Sequence, residues 1–310
     1  MSESSAIAGL INKRIKVYFG FSRMSHSVLD IGHPGFGALL VLGSFPPIHQ
    51  LVLGLIASFS GYTAVFALND LMDFKIDTER IEKYQKDLQG FDLDVLGMRH
   101  PIAQKVLPFA NAFAWVLFWG LLSLVTAFML SPICFFFLVG SIVLEIGYCM
   151  LLRRSHWKAL LSGSMVGLGA LAGVFAVVRH PSPAFVILLF FWAFGWEVGG
   201  RNITNDWTDL EEDIHLGIRT FPVRYGRRAS AVVSTALICA TVLVSLVLPF
   251  PVGLSNPVVY EAGAIAVGWF LMVGPAWRMA REGSAESAMA LFNRACFYPA
   301  AMLAVAVLSL

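Results

Sequence analysis

Nine apolar stretches, each close to the length of a bilayer crossing, run through this 310-residue sequence and leave few architectures open to it. They lie at roughly residues 25–45, 48–69, 104–130, 132–152, 158–178, 183–204, 229–249, 257–279 and 289–309, set against the ~20 mostly apolar residues that a membrane-spanning helix needs. Turn breakers fall between them, at Phe45-Pro46-Pro47, Ser131-Pro132, His180-Pro181-Ser182-Pro183 and Pro249-Phe250-Pro251. The first stretch is interrupted by Asp30, His33 and Pro34. Asp30 and His33 are spaced for an i, i+3 pair there. Only 14% of residues are charged, where soluble domains carry about a quarter. Lipid rather than water must solvate most of this chain. The expected class is an all-α integral membrane protein of nine transmembrane helices.

Charge placement gives an independent test. With the N-terminus in the cytoplasm and nine alternating spans, every one of the 22 lysines and arginines except Arg179 falls on the cytoplasmic side. That bias is the positive-inside rule, and a wrong helix count would scramble it. Residues 1–24 are expected to form a cytoplasmic segment, with no apolar core of a signal peptide. Residues 25–310 are expected to form one domain. The basic residues are thus accounted for as cytoplasmic flanks, and nucleic-acid binding has no support. The four cysteines lie in apolar spans without metal-ligand spacing and read as packing residues.

Two cytoplasmic segments are long, about 70–103 and 205–228, and long loops on a compact bundle concentrate function. The first carries Asp87, Asp92, Asp94 and several lysines and is expected to form a short amphipathic or capping helix. At the head of each segment stands the pattern N-D-x-x-D-x-x-x-D. It begins at Asn69, with Asp70, Asp73 and Asp77, and again at Asn205, with Asp206, Asp209 and Asp213. The copies lie four spans apart, so both emerge on the same face of the membrane. On a helix, Asn69, Asp73 and Asp77 share a face, as do Asn205, Asp209 and Asp213. Stacked like charges repel. Two such stacks in a chain with only 20 acidic residues therefore point to a cation between them. All-oxygen donors without nearby His or Cys favour Mg2+, held by carboxylates and substrate phosphate oxygens.

The paired motifs, the nine spans and Gly217-Ile218-Arg219-Thr220-Phe221-Pro222-Val223 after the second motif resemble the UbiA superfamily of membrane prenyltransferases. The resemblance covers most of the chain. It implies nine helices around a central cavity capped by the two long loops. It further implies motif residues that hold Mg2+ on an isoprenyl diphosphate, and transfer of the prenyl group to an aromatic or lipid-like acceptor in the membrane. Asn205 stands where many relatives carry an acid, which leaves the number of metal ions open. Arg99-His100-Pro101-Ile102 is similar to a segment that follows the first motif in that family, and Arg219 lies in the tail of the second. Tyr148, five residues before Arg153-Arg154, is similar to a cavity tyrosine with basic residues at the helix end.

Asp73, Asp77, Asp209, Asp213 and Tyr148 are accordingly expected to be catalytic, with Asn69, Asp70, Asn205 and Asp206 joining the four aspartates as metal ligands. Lys75, Arg99, Arg153, Arg201, Asn202 and Arg219 are expected to bind substrate, although a cytoplasmic anchor also explains the basic ones. Glu145 and Glu197 are acids within spans, which are costly and usually functional; either can orient an acceptor, take its proton, or serve as a neutral structural carboxyl. Gly163, Gly167, Gly169, Gly173, Gly195, Gly199 and Gly200 read first as close helix packing. Two rivals remain on the residues alone: a terpene cyclase using the same diphosphate site without an acceptor, and a non-enzymatic ion or lipid carrier. The acids lie at helix ends rather than at the midplane, which argues against the carrier.

Overall fold

Prolines that mark breaks in the sequence begin helices in the structure. The computed structural model describes residues 14–83, 98–252, 254 and 256–310. Among these residues the chain is all-helical, without strands. Residues 14–21 are helical. There follow α1 (Met24–Asp30), α2 (Gly32–Leu42), α3 (Ile48–Lys83), α4 (Phe109–Leu130), α5 (Pro132–Leu151), α6 (Lys158–Phe175) and α7 (Pro183–Gly195). A π-helical turn, Trp196–Asn202, joins α7 to α8 (Ile203–Thr208) and then α9 (Leu210–Leu216). The chain ends with α10 (Phe221–Val247), α11 (Pro257–Gly268), a second π-turn (Trp269–Val273), α12 (Gly274–Glu282) and α13 (Ala285–Ser309). Pro132, Pro183 and Pro257 are the first residues of their helices and Pro222 the second of α10, positions where no backbone N–H is needed. Ser131 and Thr220 cap α5 and α10 by accepting from the Ile133 and Val223 amides.

Among the described residues, 8 helices are long and apolar enough to cross a membrane, counting α7–α8 and α11–α12 as continuous. The first expected span is instead folded as α1 and α2, broken at Ile31, and neither piece alone has that length. Its polar interruptions have partners elsewhere. Asp30 meets Arg201 and His33 meets Tyr62, so the expected Asp30–His33 pair does not form. The first motif lies on a helix, as its spacing implies, and that helix continues well past the expected end of the span. α3 runs for 36 residues, about 54 Å at 1.5 Å per residue, against ~30 Å of hydrocarbon. The motif therefore rides on a rigid helical extension, not in a loop. Segment 205–228 likewise consists of α8, α9 and the start of α10. The capping helix expected around Asp87, Asp92 and Asp94 lies outside the described residues.

One half of the bundle is solid. Phe36, Trp192, Trp196, Tyr260, Met272 and Tyr298 fill the space among α2, α7, α11 and α13. There α2 approaches α6 so closely that a Cβ on Gly173 would collide with the Pro34 carbonyl, which bears out close packing at that glycine. On the outer side of α4, Leu117, Leu121, Val125 and Phe128 are exposed, as lipid-facing side chains should be. The other half of the bundle, between α3 and the α5–α8 hairpins, encloses space.

Candidate active site

Both Asp-rich motifs open onto one polar cavity of about 1080 Å³. Asn69, Asp73 and Asp77 face it from three successive turns of α3. Asn205, Asp209 and Asp213 face it from across the bundle, though not from one continuous helix. Asp209 leaves helical geometry (φ −101°, ψ 10°), and the break separates α8 from α9. The π-turn Trp196–Asn202 precedes them and inserts an extra residue per turn. It leaves Glu197, Arg201 and Asn202 on the cavity side. Asp206, Tyr148 and Arg99 also line the wall.

In this structure the acids are matched by protein cations. Lys158 is 1% exposed. Its Nζ donates to Asp206 Oδ1 at 2.9 Å and to the Tyr148 hydroxyl at 3.0 Å. Arg80, three residues beyond Asp77 on α3, crosses to the second motif, with Nη2 3.0 Å from Asp213 Oδ1 and Nε 3.5 Å from Glu212 Oε2. His100 Nδ1 sits 2.8 Å from Asp70 Oδ1 and 2.9 Å from Asp77 Oδ2. Burial alone would lower the His100 pKa, but its hydrogen bonds to the two carboxylates outweigh this and push it up to about 9. Burial, reinforced by Asp206 and opposed by Arg80, raises Asp213 to about 7. Arg23 and His100, both on the cavity wall, hold left-handed backbone at φ 42° and 49°. Such non-glycine outliers persist where surrounding structure over-determines them, often at functional sites.

Several expected residues stand elsewhere. Asp70 is buried against His100 rather than on the wall. Lys75, two residues from Asp73, is rotated to the opposite side of α3 and is exposed. Arg153 is exposed and pairs with Glu79 at 2.6 Å. Arg219 is exposed and reaches the Arg154 carbonyl. Lys75, Arg153 and Arg219 are therefore not lining residues of this cavity. Sequence reasoning passed over Lys158, Arg80 and His100. A lysine opening an apolar span looks like any topological flank; only burial distinguishes it. His100 carried a weak signal, since it neighbours Arg99 in the segment already singled out.

Beneath the polar cavity lies a second one of about 920 Å³ with a mostly apolar wall, including Ala57, Gly61, Leu138, Leu168, Gly169 and Ala172. Tyr62 is its aromatic polar contact, hydrogen-bonded to His33 Nε2 at 2.6 Å. Val65, Phe66, Met165, Glu197 and Arg201 line both cavities and form the neck between them. At this neck Arg201 Nη1 lies 2.9 and 3.0 Å from the two Asp30 oxygens and 3.5 Å from Glu197 Oε2.

Oxygen donors dominate the polar cavity. Asp70 Oδ2 and Asp206 Oδ2 are buried without hydrogen-bond partners. Such a donor set suits a hard divalent cation, and the residues fit magnesium.

The model of the UbiA prenyltransferase family matches residues 34–298. The chain belongs to that family. Among curated UbiA relatives, a digeranylgeranylglyceryl phosphate synthase of Methanoculleus marisnigri is 28% identical over 220 residues, covering 69% of this chain and 70% of its own. A protoheme IX farnesyltransferase of Thioalkalivibrio sulfidiphilus is 27% identical over 275 residues, covering 87% and 84%. A UbiA homologue of Aeropyrum pernix superposes with a TM-score of 0.71 at 18% identity, over 92% of this chain and 98% of its own. Another from Archaeoglobus fulgidus, solved with DMAPP and Mg2+, superposes with a TM-score of 0.66 at 18% identity, over 94% and 99%. At these identities the structural likeness shows a shared fold.

Proposed function

We propose that this UbiA-family protein transfers an isoprenyl group from its diphosphate to a hydrophobic acceptor, aromatic or lipid-like, within the membrane. Support comes chiefly from the adjacency of two cavities: an acid-lined polar chamber and a mostly apolar one share five lining residues. A prenyl diphosphate is amphipathic in that same way. Its charged head matches the polar chamber, and its hydrocarbon tail matches the apolar chamber. The Archaeoglobus homologue with DMAPP and Mg2+ supports the same assignment.

Asn69, Asp73, Asp77, Asn205, Asp209 and Asp213 would hold Mg2+, with Asp70 and Asp206 beside them. When bound, Mg2+ supplies Lewis-acid neutralisation of the diphosphate leaving group. Lys158, Arg80, Arg99 and His100 bring further positive charge to the same chamber and stabilise the negative charge that develops as the C1–O bond lengthens. Phe66, Met165 and the walls below exclude water and keep the allylic centre from hydrolysis. Tyr148 presents its ring beside Lys158, 4.7 Å from the ammonium, and its hydroxyl toward Asn202 at 3.5 Å; it ties α5 to the wall that bears the second motif.

In topology, we place the broken pair α1–α2 as a ninth crossing and set the polar chamber on the cytoplasmic side of the cell membrane. The lysine and arginine bias supports this orientation. Purified protein incubated with labelled geranyl diphosphate should release diphosphate only when Mg2+ is supplied. It should also label an acceptor from a membrane extract, identified by mass spectrometry. A cyclised hydrocarbon formed without acceptor would instead establish a cyclase.

A further inference from the structure

We propose that Glu197 is the group that takes the proton the acceptor loses as it is prenylated. This assignment rests on the transfer reading above and deepens it.

A neutral prenylated product forms only if one proton leaves the acceptor. The C1–O bond of the prenyl diphosphate breaks, and its electron pair departs with the diphosphate. The attacking acceptor atom supplies the pair for the new bond to C1, and its proton must then go to a base. If the head lies in the polar chamber and the tail in the apolar one, C1 lies at the neck. The side chains at the neck are the protein groups nearest that proton.

Five residues line both chambers: Val65, Phe66, Met165, Glu197 and Arg201. The first three have no titratable group, and a guanidinium stays protonated in proteins. Glu197 is the carboxylate that remains. It is 7% exposed, and its two oxygens differ. Oε1 accepts from the Ser162 hydroxyl at 2.6 Å. Oε2 is buried and has no hydrogen-bond partner, facing Arg201 Nη1 at 3.5 Å. Ser162 thus fixes the carboxylate's orientation and leaves Oε2 without a hydrogen bond, held only by the longer ion pair to Arg201.

Neighbouring acids are committed. Asp30 spends both oxygens on Arg201 Nη1. Asp206 is held by Lys158 through Oδ1 and borders the polar chamber alone. Glu145 accepts from Asn69 and Cys149 through Oε1 and borders the polar chamber alone. Asp30 also has a positioning role. Because it holds Arg201 Nη1 at 2.9 and 3.0 Å while Glu197 Oε2 lies 3.5 Å away, the guanidinium stays beside the Glu197 carboxylate without occupying Oε2 through a short hydrogen bond. Two carboxylates facing one guanidinium leave the neck net negative, which favours positive charge developing at C1.

The test uses the full chain in lipid nanodiscs with Mg2+, labelled geranyl diphosphate, and an acceptor pool of 4-hydroxybenzoate plus total membrane lipid extract. Diphosphate released and prenylated adduct formed are measured together. General-base groups contribute about 10²–10⁴-fold. The adduct formed per diphosphate released should accordingly fall by about 10²-fold or more in Glu197→Gln, and Glu197→Asp should recover part of it. By contrast, Asp73→Ala should lose both products together. An unchanged adduct-to-diphosphate ratio in Glu197→Gln, when wild type forms adduct, overturns this assignment alone. Diphosphate release without adduct from wild type overturns the transfer reading, and this assignment with it.

Discussion

Replacing Lys158 by Met tests how the polar chamber is held together. The substitution keeps the unbranched stem and removes the ammonium. Lys158 is 1% exposed and lies 2.9 Å from Asp206 Oδ1, so the direct attraction at an effective dielectric of 20 is about 6 kcal/mol before desolvation. Desolvation offsets much of that. Removing one partner still leaves Asp206, whose Oδ2 already lacks a partner, as a buried uncompensated charge, and such losses run at about 3–5 kcal/mol. At about 2 °C per kcal/mol for a chain of this size, Lys158→Met should melt roughly 6–10 °C below wild type in detergent without Mg2+, followed by tryptophan fluorescence. The double variant Lys158→Met/Asp206→Asn removes the stranded charge and should recover at least half of the loss, a coupling that a double-mutant cycle reads directly. A Lys158→Met protein melting within 2 °C of wild type, or a double variant no better than the single, refutes the claim that this ion pair is a buried structural element.

Asp73→Ala and Asp209→Ala should each abolish Mg2+-dependent diphosphate release while the protein elutes as a folded species on size exclusion; normal turnover in either would sink the metal-site assignment. His100 carries a pH signature. Its pKa is raised to about 9 from an ordinary ~6.5, so its stabilisation is fully present below about pH 6.5 and is lost as pH rises through about 9. In EDTA, the melting-temperature advantage of wild type over His100→Gln should shrink across that window, and an advantage that grows with pH contradicts the pairing with Asp70 and Asp77. Ala172→Phe fills part of the apolar chamber and should depress turnover of a 20-carbon prenyl diphosphate far more than that of geranyl diphosphate; an equal effect on both would place the tail elsewhere.

Much of the site was legible before any coordinates. Helix periodicity puts Asn69, Asp73 and Asp77 on one face, and the even number of intervening spans puts Asn205, Asp209 and Asp213 on the same side of the membrane. Both sets line the polar chamber. The same periodicity misjudged the second motif's continuity, because the chain breaks at Asp209 and a π-turn precedes it. Neither leaves a mark in a single sequence. Lys75 and Arg219 were drawn in by their nearness to the motifs along the chain, and Arg153 by its place after Tyr148, yet their side chains stand outside the wall.

What the sequence determined by itself is what depends on short-range rules: apolar length sets the spans, basic residues bias their orientation, and spacing along a helix decides which acids stack. Tertiary structure alone decided which charges meet. Lys158 reaches Asp206 across 48 positions, Arg80 reaches Asp213 across 133, and Arg201 reaches Asp30 across 171. Each looks like a membrane-flank cation or a stray polar residue in the sequence. Burial makes each of them costly without its partner, and helix packing alone brings those partners within hydrogen-bond range. The neck between the chambers is of this second kind, which is why Glu197 could be singled out from Glu145 only after the fold was known.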